Sequence, residues 1–411
     1  MKAVHSIIML VLILYVNNIE AQENYFTVSG KVRDNQTQKP LEYVTISVIN
    51  CNIGTVSNAD GDFSLKIPKN VNSSIVEFSH LGFLSYTLPV NGDNIKGADI
   101  LLKPYTVVLN EVVVYGGDAL YIVQEAVKKI PKNYCPSLSQ LTGFYRETVQ
   151  KRQNFIYISE AVVDLYKTPY HNNNNSDRLQ ILKGRKLLSQ KANDTLSIKV
   201  LGGPNLSIFI DIVKNPDVIL DMETLPYYSF TLENISYING RDQYVVAFKP
   251  QVIMPYPLYK GIFYVDKETL AFTRAEFQFD MNDRSKVSDL IVKKKPTGMR
   301  FNPDEVSYIV SYQERDGVSY LSYVRSKLKF SCDWRRRLFS TNYEVVSEMV
   351  VTDVNLQNVE IIPRKETFSS TQVLNDHVLY FYDENFWGAF NIIEPTESLE
   401  MAVTKLKKQI K

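Results

Sequence analysis

Residues 28–68 read VSGKVRDNQTQKPLEYVTISVINCNIGTVSNADGDFSLKIP, and this stretch decides the fold of the N-terminal part of the chain. Apolar residues recur at alternate positions on both sides of the breaks at Asp34-Asn35 and Lys39-Pro40, which is the period of a half-buried strand. The alternating apolar residues are Phe26, Val28, Val32, Val44, Ile46, Val48, Phe63, Leu65 and Ile67. The stretch therefore predicts several short strands, each with one buried face.

Turn signals separate these strands. Residues 58–62 read Asn-Ala-Asp-Gly-Asp, in which Asp and Asn accept local main-chain hydrogen bonds and Gly61 supplies a positive φ. Pro68 ends the strand that follows. Further strands are predicted at residues 74–79, 83–88, 99–102 and 109–115. Short strands at this spacing are typical of an antiparallel β-sandwich, which we place at residues 22–116.

The same residues carry a family resemblance. The motifs are Gly30-Lys31-Val32-Arg33-Asp34, Pro40-Leu41, Gly54-Thr55, Asp60-Gly61-Asp62-Phe63 and Leu109-Asn110-Glu111-Val112-Val113-Val114. They resemble the carboxypeptidase-regulatory-like (transthyretin-like) sandwich of exported Bacteroidota proteins. The resemblance implies a non-catalytic module, of the kind that often precedes the plug of outer-membrane transporters.

Composition and the N-terminus indicate the compartment. The chain has 411 residues, enough for two or three domains, and its 46 basic and 45 acidic residues give no case for nucleic-acid binding. Lys2, the apolar run Ile7–Val16 and Ala21 have the features of a secretory signal at residues 1–21, cleaved before Gln22. We expect an exported protein, periplasmic or peripheral at the outer membrane, with no transmembrane segment in the mature chain.

Three cysteines, Cys51, Cys135 and Cys332, allow at most one internal disulfide. They lie far apart in the sequence and share no pairing signature. The sequence favours buried free thiols and leaves the bridged alternative open.

A linking helix is predicted at residues 117–135. Asp118 is placed as its N-cap and Pro131 as its end, and one face carries Leu120, Val123, Val127 and Ile130. We expect this helix to join two domains.

Residues 136–411 predict a larger antiparallel α+β domain with a C-terminal helix, in which the sheet takes the form of a half-barrel. Strand periodicity is clear at residues 244–248, 261–265, 270–279, 306–312 and 343–351, and Asp316-Gly317 marks a hairpin. Gly261–Thr269 resembles a turn of the lipoprotein-carrier-like half-barrels of Gram-negative envelopes, which hold an acyl chain. Residues 117–411 more closely resemble an uncharacterised region that accompanies the sandwich in Bacteroidota proteins, and the segments 201–204 and 385–391 carry this resemblance.

The C-terminal helix has an apolar face formed by Leu399, Val403, Leu406 and Ile410. Its last turns carry Lys405, Lys407, Lys408 and Lys411, where the helix dipole favours cations. Docking onto the body of the protein is the favoured interpretation, and contact with a membrane surface is the alternative.

Catalytic and metal-binding motifs give no site. His80, His171 and His377 belong to no H-E-x-x-H or H-x-x-E pattern, and G-x-S-x-G is missing from the sequence. Residues 92–97 have P-loop spacing but lack the Lys-Ser/Thr pair, so we interpret them as a loop. The carboxylates Asp280, Asp283 and Asp289 are interpreted as a solvated face. We therefore predict a non-enzyme and assign no catalytic, cofactor-binding or metal-ligating residue and no cofactor.

Two compositional clusters point to binding surfaces. Trp334-Arg335-Arg336-Arg337 and Lys293-Lys294-Lys295 could bind lipid phosphates or an acidic partner, or form solvated turns. Tyr227, Tyr228, Tyr256, Tyr259 and Tyr264 lie among Pro226, Pro255 and Pro257 and suit either a carbohydrate or peptide surface or the strands of a core.

The functional prediction is a non-enzymatic cell-envelope protein that binds a protein partner or an apolar ligand at the periplasm or outer membrane. The partner expected is an envelope protein or outer-membrane component, with a lipid as a further ligand. The alternatives are a periplasmic carrier of lipid or lipoprotein acyl chains and, second, a hydrolase with a dispersed site.

Overall fold

The computed structural model describes residues 24–71, 75–105, 116–171, 177–191, 194, 199–200, 202–334, 340–369, 372, 374–380 and 386–410. The predicted signal peptide, the strand at residues 109–115 and the arginines at 335–337 lie outside these residues. The fold is mainly β, as predicted, with two small sheets at the N-terminus and one large antiparallel sheet behind them.

The N-terminal sandwich contains seven described strands: β1 (Tyr25–Asp34), β2 (Thr45–Val48), β3 (Gly54–Val56), β4 (Asp62–Pro68), β5 (Ile75–Ser79), β6 (Tyr86–Pro89) and β7 (Ile95–Leu102). One sheet has the order β4-β1-β7 and the other the order β3-β2-β5-β6. The alternating residues quoted above form its buried core, because period-two side chains of both sheets meet between them.

One strand pair departs from the predicted antiparallel arrangement. Strand β7 runs parallel to β1, because the chain reaches it by crossing over from the other sheet rather than by a hairpin. The register shifts between Val28 and Gly30, where the backbones approach so closely that a Cβ on Gly30 would lie 1.9 Å from the carbonyl oxygen of Ala98. Glycine is therefore required at this bulge.

The predicted linking helix is present as α1 (Gly116–Lys128), which buries Ala119, Val123 and Ala126 against the large sheet. Pro131 does not end the helical segment as predicted. It lies at the start of a second short helix, α2 (Ile130–Asn133), where a residue without an N–H is tolerated.

The large sheet is an open antiparallel sheet of twelve described strands. Eleven of them lie in the order β12-β14-β15-β16-β18-β19-β20-β8-β9-β10-β21, and β13 pairs with β14 outside this order. Only the edge pair β10–β21 is parallel among the described strands of this sheet. The strands are β8 (Ser139–Lys151), β9 (Asn154–Lys167), β10 (Arg178–Leu188), β12 (Tyr228–Leu232), β13 (Ser236–Ile238), β14 (Arg241–Pro250), β15 (Tyr259–Asp266), β16 (Phe272–Phe279), β18 (Met299–Arg315), β19 (Val318–Trp334), β20 (Thr341–Asn355) and β21 (Leu379–Tyr380).

One face of this sheet, called the helix face, is covered by α1, by the short helices α3 (Pro204–Phe209) and α4 (Arg284–Ile291), and by the irregular segment 210–227. Strand β17 (Val292–Lys294) follows α4 directly and pairs with β11 (Lys199–Val200). Among the described helices, none is long and apolar enough to cross a bilayer.

The opposite face, called the sandwich face, carries the sandwich and the segment 386–396, which we call the strap. Val56 of the sandwich, Trp387 and Ile393 of the strap, and Phe144 and Tyr323 of the sheet share one apolar cluster. The Asn391 side chain accepts from the Lys66 amide at 2.7 Å and donates to the Lys66 carbonyl at 3.0 Å. The strap thus joins the two parts of the chain.

A buried ionic cluster anchors the strap to the sheet. Arg146 and Arg185 both bind the carboxylate of Glu160, at 2.7 and 2.8 Å, and Arg146 also donates to the Ile393 carbonyl at 2.8 Å. Burial alone would raise the pKa of Glu160, but the two guanidinium groups outweigh it and lower that pKa. The Arg185 guanidinium lies 4.9 Å from the centre of the Trp387 ring, a cation–π contact.

The C-terminal helix, α5 (Glu397–Ile410), docks on the sandwich face. Leu399 and Leu406 are buried against Ile158 of β9 and Leu187 of β10. The favoured prediction for this helix, docking onto the body of the protein, is confirmed. The apolar residues of α5 lie on one face of the helix because of their helical spacing, and this face packs against Ile158 and Leu187.

Candidate ligand-binding site

An aromatic layer covers much of the helix face. Alternating residues of β14, β15, β16 and β18 point to this side because side chains of a strand alternate between faces. The Phe248 and Phe263 rings stack with centres 4.3 Å apart, and so do those of Tyr259 and Phe279. The layer consists of Phe230, Phe248, Phe263, Phe272, Phe277, Phe279, Tyr259 and Tyr308. The rings of the layer pack against one another and fill the space between them. They form a large apolar surface, which the helices and segment 210–227 cover.

At one end of the layer, the loop between β14 and β15 exposes apolar side chains to solvent. Ile253 is 94% exposed, and Val252 and Tyr256 in the same loop are also exposed. The Lys286 ammonium of α4 donates to the Met254 carbonyl at 2.8 Å, which fixes the loop against that helix. Leu290, one turn further along α4, is 50% exposed. We call Val252, Ile253, Tyr256 and Leu290 the apolar edge.

The structure divides the tyrosines that the sequence grouped together. Tyr228 and Tyr259 are packed at the margin of the aromatic layer, where burial raises the pKa of Tyr228 to about 12. Tyr256 is close to Tyr228 but exposed, and Tyr264 points to the sandwich face beside Glu276 and Arg274. The core interpretation therefore holds for Tyr228 and Tyr259, and the surface interpretation for Tyr256.

A fully buried ionic group holds the cover over the layer. The Lys167 ammonium of β9 lies 2.8 Å from the carboxylate of Asp211, in the segment after α3, and 3.1 Å from that of Asp177. Burial alone would lower the pKa of Lys167, but the two carboxylates outweigh it and raise that pKa. The Lys167 ammonium is therefore charged at neutral pH, and its contact with Asp211 fixes segment 210–227 to the sheet.

Two tyrosine hydroxyls complete this ionic group, and a third anchors a neighbouring ring to the sheet. Tyr170 and Tyr312 donate to the two oxygens of Asp211 at 3.0 and 2.8 Å, and Tyr134 donates to the Phe272 carbonyl at 2.7 Å. Burial raises the pKa of all three phenols well above the usual value. They remain protonated donors at any physiological pH, as buried tyrosines usually do.

A second polar group on the helix face is Glu147 of β8. Its carboxylate accepts from the Tyr145 hydroxyl at 2.9 Å and from the Gly203 amide at 3.2 Å. Burial raises the pKa of this carboxyl. The sequence pattern did not lead to a prediction for Glu147, Lys167 or Asp211. For Glu147 and Lys167 the available signal was a charged residue at a strand position that faces the core.

The other residues singled out by the sequence are dispersed. Asp283, the N-cap of α4, and Asp289 are exposed, as the interpretation as a solvated face predicts. Asp280 is half-buried and lies 3.5 Å from the Lys260 ammonium, so that interpretation does not hold for it. The three cysteines are free thiols; Cys135 and Cys332 are buried, as predicted, whereas Cys51 is half-buried. Burial raises the pKa of Cys332 to about 11. The part of the chain that the structure describes contains no group of three or more His, Cys, Asp or Glu placed to hold a metal ion.

Fold and site together define a two-part protein, a sandwich fixed to an open antiparallel sheet that carries an apolar face. Residues 28–114 match the family described as CarboxypepD_reg-like domain, so the N-terminal sandwich is a carboxypeptidase-regulatory-like domain. No curated protein matches the sequence.

Solved structures similar to the chain match its C-terminal region. A putative outer membrane lipoprotein-sorting protein domain from Vibrio parahaemolyticus is 12% identical, with 60% of this chain and 95% of that chain covered and a TM-score of 0.27. A LolA superfamily protein from Nitrosomonas europaea is 11% identical, with 63% and 100% covered and a TM-score of 0.21. A putative membrane-associated protein of unknown function from Bacteroides fragilis is 11% identical, with 80% and 98% covered and a TM-score of 0.15.

Proposed function

We propose that the chain is a non-enzymatic binding protein of the cell envelope that holds an apolar ligand against the helix face of the large sheet. The observation that carries this proposal is the apolar edge, which is exposed and continuous with the aromatic layer through Met254 and Tyr259. Single exposed apolar residues are common on protein surfaces, whereas apolar residues grouped in one patch mark ligand and partner sites more often. The N-terminal run Ile7–Val16 supports export to the envelope.

The cover above the layer is suited to yielding to a ligand. Segment 210–227 contains only two short 3₁₀ turns, Pro216–Val218 and Leu225–Tyr227, and the α3 helix before it has six residues. Short irregular elements open locally at a lower free-energy cost than long strands. The ligand is proposed to enter at the apolar edge and to displace the outer end of this cover, residues 221–227, which are mostly exposed or half-buried. The buried ion pair keeps residues 211–215 on the sheet.

The test is binding of a fluorescent acyl probe with an uncharged headgroup to purified protein, with Ile253→Asp as the variant. A charge at the entry should weaken binding at least tenfold, or about 1.4 kcal/mol. Ile361, which is 57% exposed and lies outside the helix-face cluster, provides the matched control as Ile361→Asp. Absence of probe binding, or equal binding by both variants, would contradict the proposal.

A carrier of lipid or lipoprotein acyl chains is the narrower candidate. The closed aromatic layer supports it, because a ligand sequestered beneath a cover is shielded from water during transit. The distinguishing measurement is transfer of the bound probe to acceptor vesicles. Vesicle concentration should accelerate release from a carrier that delivers by contact, whereas a static binding protein releases its ligand at a constant rate.

A further inference from the structure

We infer that a groove between α5 and the β8–β9 hairpin binds a single anionic amphiphile, an acyl chain with a phosphate or carboxylate headgroup. The groove lies on the sandwich face, opposite the aromatic layer, so it is a second site beyond the one proposed above. Its volume of about 470 Å³ falls in the usual range of small-molecule clefts, about 300–1,000 Å³. We call it the basic groove, lined by Arg152, Phe155, Ile156, Met401, Ala402 and Lys405.

The floor of the basic groove is apolar. Phe155 and Ala402 are half-buried, and Ile156 beside them is buried. Met401 forms part of the wall although it is 61% exposed, so α5 leaves apolar surface uncovered on this side. Methionine adapts its flexible side chain to irregular apolar ligands. This lining suits an acyl chain.

The rim is positively charged. Lys151, Arg152, Lys191 and Lys405 line the groove with one carboxylate, that of Asp194, which Lys151 binds at 3.3 Å. Arg152 and Lys405 form no ion pair with any residue that the structure describes. A guanidinium binds phosphate or carboxylate oxygens in bidentate fashion, and an ammonium adds a point charge. The rim therefore complements an anionic headgroup.

Backbone conformation at the hairpin tip is a further, independent sign. Arg152 and Gln153 both have positive φ, 49° and 67°, and form the two central residues of the turn. The comparable turns at residues 239–240 and 316–317 use Asn-Gly and Asp-Gly, the usual solution for this geometry. Strained non-glycine residues cluster at functional sites. The chain has an arginine at this turn, although Asn-Gly or Asp-Gly would fit the backbone conformation better.

The test measures binding of dodecyl phosphate, below its critical micelle concentration, by calorimetry. The protein carries Ile253→Asp so that binding at the apolar edge is abolished. Dodecyl phosphate should bind at least tenfold more tightly than dodecyltrimethylammonium and than inorganic phosphate. Arg152→Glu and Lys405→Glu should each weaken it at least tenfold, and Lys69→Glu, an exposed lysine of the sandwich, should not. Equal binding of the two amphiphiles, or of phosphate alone, would overturn the inference.

A double variant separates binding from folding. Arg152→Asn with Gln153→Gly installs the favoured turn residues, so the melting temperature should rise by about 2 °C. Binding of dodecyl phosphate should fall at least tenfold in the same protein. A stabilised variant that binds as tightly as the parent protein would remove Arg152 from the site. Failure here leaves the acyl-probe test of the helix face unaffected, because that test depends on Ile253.

Discussion

At the residue scale, Lys167 and its two carboxylates are buried charges that stabilise one another. Asp177 accepts from the Thr168 amide at 2.8 Å and the Thr168 hydroxyl at 2.7 Å, and it faces the Lys167 ammonium. Burial alone would raise the pKa of Asp177, but Lys167 and Thr168 outweigh it and lower that pKa. A carboxyl with a lowered pKa contributes stability above its unfolded-state pKa, and that contribution is lost as pH falls through the folded-state value.

The corresponding prediction concerns Asp177→Asn. At pH 7 the unfolding free energy of the variant should be about 2 kcal/mol lower, since the substitution removes the hydrogen bonds to the charged Asp177 carboxylate. Below the unfolded pKa of about 4 the difference from the parent protein should shrink. Urea denaturation at pH 7, 5 and 3 measures both quantities. A difference that stays constant over this pH range would mean that ionisation of Asp177 contributes nothing to the unfolding free energy. Glu366→Gln, at a half-exposed surface carboxyl, serves as the control.

At the element scale, α5 depends on two leucines. Leu406 is 2% exposed and packs on Ile158 and Leu187, so Leu406→Ala should lower the unfolding free energy by about 2–4 kcal/mol. Met401 on the same helix is 61% exposed, and Met401→Ala should change it by less than about 0.5 kcal/mol. Equilibrium denaturation of the two variants compares them directly. Equal, small effects would show that the helix is dispensable for stability.

The same helix shows what local pattern could predict. Leu399, Val403 and Leu406 follow one another at helical spacing, so the apolar face is visible in fourteen consecutive residues. Alternation in β18 and the Asp316-Gly317 turn made that hairpin equally clear. In each case the interacting residues lie close together in the sequence, and periodicity alone defines the buried face.

Features built from distant residues were not predictable in this way. The parallel pairing of β7 with β1 depends on topology, and the bond between Asn391 and Lys66 spans 325 residues. The Lys167 group draws on three separate segments, of which only β9 carries a visible strand pattern. The basic groove likewise requires a hairpin tip and a helix more than 200 residues apart, so composition could locate the lysines of α5 without indicating Arg152.

At the scale of the whole molecule, the strap makes the sandwich and the large sheet one cooperative unit. Besides the bonds of Asn391, two carbonyls of the strap accept hydrogen bonds from the sandwich. The Ile392 carbonyl accepts from the Thr55 hydroxyl at 2.9 Å, and the Pro395 carbonyl accepts from the Asn58 side-chain amide at 3.0 Å. Trp387 is buried in the shared cluster with Phe144, their ring centres 5.3 Å apart. A joint with buried aromatic contacts and directional hydrogen bonds resists independent domain motion.

This joint gives a prediction for unfolding. The chain has two tryptophans, so in a Trp334→Phe background the fluorescence of Trp387 reports on the interface alone. Its change should coincide with loss of circular dichroism in a single denaturant transition. Asn391→Ala removes both bonds to Lys66 and should cause Trp387 exposure to precede the loss of sheet structure. Asn355→Ala, at the exposed end of β20, is the control and should leave the two transitions coincident. Separate transitions in the background protein itself would show that the sandwich and the sheet fold independently, and the strap would then be a contact without a coupling role.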